Sequence, residues 1–282
     1  MKTGLKTGSD SFCSHETFGV CLKIAGIRLG FEFPGPNFRA LVARRYKNFV
    51  SHGKPLYRFL VSEAAGRRTP FRPVVSYAPR SAPGPRRWLS VKRGDFDCAL
   101  NLKTGLGTLK AAPRLQTFDS FLRSFYSWLL PREGGLLLHS ASFEKDGRAV
   151  VFPGVSGAGK STLSKLAAGK HFLLSDELVP VRKAGGRFYA YGSPFWGEMR
   201  CGGENRRLPL GGIYKLSKSA VNSVGKLGPG AALELLLRCA VNFSKDESTA
   251  GLLLGAASGL AVNKIGGELK FSKKGPAFLK LL

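Results

Sequence analysis

Gly154-Val-Ser-Gly-Ala-Gly-Lys-Ser-Thr162 fits the phosphate-loop pattern G-x-x-x-x-G-K-[ST] at every position, and its flanks decide the fold. Arg148 to Phe152 (RAVVF) reads as a buried strand, and Ser161 to Ala168 (STLSKLAA) carries apolar residues at helical spacing. Strand, glycine loop and helix follow in the order a triphosphate cradle requires. Gly154, Gly157 and Gly159 let backbone N–H groups turn toward phosphate oxygens, and the helix N-terminus adds the positive end of its dipole. In this reading Gly154, Val155, Ser156, Gly157, Ala158, Gly159, Lys160, Ser161 and Thr162 bind a nucleoside triphosphate. Lys160 reaches the β and γ phosphates and the Ser161 hydroxyl ligates Mg²⁺. The competing reading is a glycine-rich turn capped by Ser161 or Thr162. Matching context on both sides favours the phosphate loop.

Upstream, Gly135 to Phe143 (GLLLHSASF) reads as a strand, and Asp146-Gly147 is the dipeptide of a type I′ hairpin leading into RAVVF. That hairpin delivers His139 to the neighbourhood of the loop, although a histidine in an apolar strand is commonly a core residue. Downstream, His171 to Glu177 (HFLLSDE) reads as a short strand ending in two carboxylates, where a Walker-B acid belongs. Adjacent residues on a regular strand point to opposite faces, but at a strand end that bends into a loop both Asp176 and Glu177 can reach the site. Val179 to Lys183 and Arg187 to Tyr191, with Gly185-Gly186 between them, form a second hairpin. Ser193-Pro-Phe-Trp-Gly-Glu-Met-Arg200 breaks the pattern and brings acid, base and aromatics together. Leu210 to Leu216 is a further strand, and Pro229 to Ala240 a helix with proline in its first turn.

Before the loop unit, Thr117 to Leu130 places Phe118, Phe121, Leu122, Phe125, Trp128 and Leu129 on one helical face, with Pro131 expected just beyond its end. The aromatic stripe reads as core, on a helix that joins two domains. Residues 17–112 are β-rich: a strand pair about Gly26, a helical piece from Phe38 to Phe49, then strands at Tyr57 to Val61, Phe71 to Tyr77, Trp88 to Val91 and Phe96 to Leu102. Ala78 to Arg87, crowded with proline and arginine, reads as an exposed loop. Residues 1–16 are polar and aperiodic and are expected to be disordered; residues 113–282 form the phosphate-loop domain. The class is α/β with α+β character.

Forty-four Lys and Arg against eighteen Asp and Glu give a formal charge of +26, far beyond what solubility needs. The balance points to an acidic partner. Nucleic acid is the generic candidate, but the basic residues are dispersed and no zinc-finger or RNA-binding signature accompanies them. An anionic peptide, a phosphorylated product or the triphosphate itself suits the balance equally well, and a merely solvated basic surface is the competing reading; Arg67, Arg68, Arg86 and Arg87 are the first candidates for steering an acidic peptide or protein substrate, and Arg200, Arg206 and Arg207 for phosphate or acid binding. Cys13, Cys21, Cys98, Cys201 and Cys239 form no C-x-x-C or Cys/His cluster and read as reduced thiols of a cytoplasmic protein. The run Ala250 to Val262 is too short to cross a bilayer, so no membrane span is expected; the sequence leaves oligomerisation open.

Taken as an ordered set, His139 in a strand, the loop Gly154 to Ser161 and the acid pair Asp176-Glu177 resemble the HPr kinase/phosphorylase family, whose catalytic domain is related to the phosphoenolpyruvate carboxykinase fold. The resemblance covers residues 117–245. It implies ATP and Mg²⁺ as cofactors and direct phosphorylation of a hydroxyl, serine first, on a peptide or protein. By the same match Glu177 accepts the hydroxyl proton, Asp176 faces the metal, His139 assists at the phosphates and Glu198 is a later metal ligand. Two features depart from the family: Glu177 stands where aspartate is usual, and the segment that bifunctional members use for dephosphorylation is missing. The resemblance therefore implies a divergent, kinase-only member. A non-catalytic nucleotide-binding module and a kinase of small hydroxyl compounds are the alternatives.

Overall fold

The computed structural model describes residues 18–66, 72–77, 88–195, 197–199 and 203–282, and its class is α+β, two sheets with helices between and around them. The expected disordered start, the loop Ala78 to Arg87, and Arg67, Arg68, Arg86, Arg87 and Arg200 lie outside the described residues. Strands β1 (Phe18–Ile24) and β2 (Ile27–Phe33) form a hairpin through Ala25 and Gly26, at φ of 53° and 79°. Helix α1 (Pro36–Arg45) and a 3₁₀ turn at Lys47–Phe49 carry the chain over to β3 (Tyr57–Glu63), which runs parallel to β2. Strands β4 (Val74–Tyr77), β5 (Trp88–Arg93), β6 (Phe96–Asn101) and β7 (Leu106–Ala111) form an antiparallel meander whose last strand returns beside β3.

Helix α2 (Leu115–Arg132) is buried along nearly its whole length. Phe118 and Phe121 pack edge-on against Phe31 and Phe59 of the first sheet, at centroid distances of 5.0 and 5.6 Å. Further round the helix, Tyr126 meets Phe195, and Leu137 and Leu178 of the second sheet belong to the same core. The helix therefore lies between the sheets. Pro131, expected beyond its end, sits in its last turn. A proline there removes one intrahelical bond, and the amide of Glu133 still closes the turn on Leu129 and Leu130.

The second sheet starts with the hairpin of β8 (Gly135–Lys145) and β9 (Arg148–Pro153), turned by Asp146 and Gly147 at φ of 51° and 73°, the paired positive values of a type I′ turn. After the loop and α3 (Lys160–Ala168) come β10 (Leu173–Ser175), β11 (Leu178–Ala184), β12 (Arg187–Tyr191), β13 (Arg207–Lys218), β14 (Ser223–Gly225), the helices α4 (Pro229–Cys239) and α5 (Glu247–Asn263), and β15 (Ile265–Phe271). β13 runs parallel to both β9 and β15, so the ends of three parallel strands gather around the loop. Crevices beyond such carboxyl ends are where open α/β sheets bind ligands. Among the described residues no helix is long and apolar enough to cross a membrane.

α5 is started by Asp246, whose carboxylate accepts the Thr249 amide at 3.0 Å. Burial pushes this carboxyl up, but hydrogen bonds from Ser244, Ser248 and Thr249 outweigh it and hold the group well below the usual carboxylate range. A depressed native value stabilises the fold above the unfolded group's titration and is lost as pH falls. Asp246→Ala is expected to lose about 1 kcal/mol at neutral pH. The difference from the parent, read by thermal melting, should narrow below about pH 4, where the unfolded carboxylate takes up its proton.

Candidate active site

A cavity of about 880 Å³ opens at the carboxyl end of β9, within the range of about 300–1,000 Å³ usual for small-ligand sites. Ser156, Gly157, Gly159, Lys160, Ser161 and Thr162 line one side. Gly154, Val155 and Ala158 face a second, smaller cavity of about 240 Å³ that they share with Leu235 and Cys239. Gly159, the residue before α3, has φ of 102°, and a Cβ there would lie 3.0 Å from the Phe271 ring at the end of β15, so conformation and packing both require glycine. The Lys160 ammonium donates to the carbonyls of Gly154 at 2.6 Å and Val155 at 3.1 Å, folded back over the loop. Burial lowers its pKa, while Cys239 and Glu177 oppose the shift.

His139 lies mid-strand on β8, opposite Leu178, and its carbonyl accepts the Gly154 amide at 3.1 Å. That bond ties the histidine's strand to the start of the loop. Its imidazole pKa is pushed down by burial, then by Lys160 and Arg123, with Glu177 acting the other way, which favours the neutral form.

β10 ends at Ser175, and the chain bends immediately, so both following acids line the cavity. Their surroundings differ. The buried Asp176 carboxylate accepts the amides of Gly197 at 3.2 Å and Met199 at 2.7 Å. A Cβ on Gly197 would lie 2.5 Å from Asp176 Oδ2, so the carboxylate grips this segment at close range. The acid expected to face a metal thus holds the piece of chain that carries Glu198. Glu198 is itself exposed and accepts from the Ser161 hydroxyl and from Lys165 at 3.3 Å, which together keep its carboxyl below the ordinary value. Ser161 and Glu198, both expected as metal ligands, therefore meet.

Glu177 is held in a fork: Arg123 Nη1 lies 2.9 Å from Oε1, and Nη2 donates to Oε2 at 2.9 Å. Arg123 and its neighbour Asp119 stand on α2, and sequence reading gave neither a role. The available signal was an Asp and an Arg at i and i+4 in a helix otherwise read as core. Lys218 and Lys273 also line the cavity, from the end of β13 and just past β15. Two arginines offered from sequence for anion binding serve elsewhere: Arg206 pairs with Glu144 at 2.9 Å, and Arg207 lies over the Tyr189 ring.

The arrangement fits a triphosphate with Mg²⁺. A backbone loop at a helix N-terminus and several ammonium groups face one space, with the Ser161 hydroxyl and three carboxylates beside them. Among the described residues no group of three or more His, Cys, Asp or Glu could hold a metal by itself. Mg²⁺ at nucleotide sites takes only one or two carboxylates, with phosphates and water completing its shell.

A family model described as SynChlorMet cassette protein ScmC matches residues 114–251. The chain is similar to that family from the residue before α2 into the first turns of α5, a span that contains Asp119, Arg123, His139, the loop, both acids and Glu198 and leaves the first sheet outside. No curated protein matches the chain.

Proposed function

We propose that this chain is an ATP- and Mg²⁺-dependent kinase, a divergent relative of the HPr kinases, that phosphorylates a hydroxyl, most naturally a serine of an acidic peptide or protein. The observation that carries the reading is the meeting, in one cavity, of the loop, Lys160, His139, the Asp176-Glu177 pair and Glu198. ATP supplies the phosphoryl group there, the acceptor oxygen bonding to the γ phosphorus as the bond to the β-phosphate oxygen breaks. The loop amides and Lys160 hold the phosphates, and Ser161 and Glu198 hold Mg²⁺. Asp176 fixes the Glu198 segment by the amides of Gly197 and Met199. Glu177 takes the acceptor proton: an ionised carboxylate has about four lone-pair sites, and the Arg123 fork uses one on each oxygen. His139 donates one imidazole N–H hydrogen bond to a phosphate oxygen.

In this reading residues 113–282 form the kinase unit and residues 17–112 recognise the acceptor, with α2 shared between them. Free thiols at Cys21, Cys98 and Cys239 suit the cytoplasm, where ATP is made and used. A second reading, nucleotide binding without catalysis, draws on the fork itself, because a base already bonded at both oxygens also suits a purely structural role. Purified protein with γ-labelled ATP, Mg²⁺ and serine peptides separates the two. The matching family is described as a cassette protein, so peptides encoded beside the gene are the first acceptors to try. Labelled acceptor supports the kinase; tight ATP binding without label on any acceptor or release of phosphate refutes it.

Within the same assay Glu198→Gln is expected to raise the Mg²⁺ concentration for half-maximal activity roughly tenfold, the lower end of what altered metal surroundings cost. The amide keeps the shape and loses the charge that faces Ser161. An unchanged Mg²⁺ titration would remove Glu198 from the metal site.

A further inference from the structure

Arg123 bonds to more than Glu177. Its Nε donates to Asp119 Oδ2 at 2.6 Å, and its guanidinium lies over the Phe195 ring, 5.3 Å from the centroid. Asp119 in turn accepts the Tyr46 hydroxyl at 3.0 Å and lies 3.6 Å from Arg45 Nη2. Arg45 Nη2 also donates to the Pro194 carbonyl at 2.6 Å, and Asn48 to that of Gly203 at 2.8 Å, so the α1 region grips both ends of the segment that bears Glu198. A continuous set of polar contacts thus runs from the first sheet's helix to the acid at the cavity.

We propose that Arg123 is the positioning residue of the kinase reaction, aiming the Glu177 carboxylate into the cavity and linking it through Asp119 and Tyr46 to the first sheet. The inference rests on the function proposed above and adds a residue and a connection to it. Only a planar guanidinium can hold both oxygens of one carboxylate while its Nε serves a second, so lysine at this place cannot reproduce the geometry. Burial works against the Arg123 charge, and the bonds to Glu177 and Asp119 outweigh it, so the group stays a cation.

Arg123→Met should lower kcat by about tenfold or more, the scale of lost hydrogen bonds to a charged group, with ATP affinity and acceptor KM close to parental. Arg123→Lys keeps the charge without the fork, so kcat should stay reduced by about tenfold. Because Arg123 acts through Glu177, Arg123→Met should cost nothing further in a Glu177→Gln background. A residue that only stabilises the fold would lower activity by the same factor in both backgrounds, and that result overturns the proposal. The probes are γ-labelled ATP with an acidic serine peptide, phosphate release to water as a second readout, and ATP affinity measured separately. Should Arg123→Met fail to fold, Arg123→Lys decides by the same comparison. If the parent protein binds ATP and transfers nothing to peptide or water, the kinase reading itself falls; if the parent turns over and the Arg123 variants lose the same factor in both backgrounds, only the role of Arg123 does.

Discussion

Replacing Lys160 by alanine is expected to lower phosphoryl transfer by more than about a hundredfold, the scale of removing one contact to charge that develops in the transition state. Lys160 is the cationic side chain that projects from the loop itself, and its ammonium lies over the Gly154 and Val155 carbonyls, against the backbone that would cradle phosphate. Its rivals are placed differently: Lys165 is paired with Glu198, and Lys218 and Lys273 come from β13 and from beyond β15. They can add to the field in the cavity but cannot take over the bond made from the loop. The variant should fold, because the substitution takes away two hydrogen bonds to loop carbonyls and leaves the core untouched, and circular dichroism with a thermal melt checks this. A folded Lys160→Ala protein with near-parental transfer refutes the phosphate-loop assignment.

What sequence revealed follows from where the information lies. The two hairpins of the second sheet were legible because Asp146-Gly147 and Gly185-Gly186 carry the positive φ that a type I′ turn needs, a strictly local property. The aromatic face of α2 was legible as core for the same kind of reason, since Phe118, Phe121 and Phe125 repeat at helical spacing. β7 was missed because its buried face is Gly107, Leu109 and Ala111 while Leu106 stands exposed, so its alternation in burial is not an alternation in hydrophobicity. α5 failed for the opposite reason: its sequence is apolar or small all round, and it leaves Leu252, Leu254 and Val262 exposed, so no stripe marks a face. β15 has two glycines, and its place beside β13 is a long-range pairing that no local pattern records.

For the site, the loop motif gave Lys160, the strand end gave Asp176 and Glu177, the Asp146-Gly147 hairpin gave His139 and the family resemblance gave Glu198, and all five line one cavity. The contacts that hold each acid were not readable. That Asp176 accepts the amides of Gly197 and Met199 depends on a segment about twenty residues away folding back. Arg123 lies fifty-four positions before Glu177, and nothing in either local sequence announces the pair. Spacing identifies residue types that phosphoryl transfer needs; the partners that hold each acid are fixed by tertiary contact.

Glu177→Gln is expected to slow turnover by about 10²–10⁴-fold, the usual contribution of a positioned general base, with much less effect on ATP affinity. The amide keeps the length of the side chain and loses the group that accepts the acceptor's proton. It also disturbs the fork, because an NH₂ now faces one of the Arg123 N–H groups that donated at 2.9 Å, so a loss in this variant mixes a missing base with a displaced guanidinium. Arg123→Met separates the two: it removes the fork and leaves the base, and its turnover should fall well short of the loss in Glu177→Gln. Glu177→Asp completes the set, since aspartate is the acid usual in the HPr kinase family and its shorter arm withdraws the carboxylate from Arg123 by one methylene. Activity between that of the parent and that of Glu177→Gln is expected, because a base remains but its aim is relaxed. If ATP affinity collapses in Glu177→Gln while bound acceptor turns over at the parental rate, Glu177 is a structural partner of Arg123 and the proton leaves by another route.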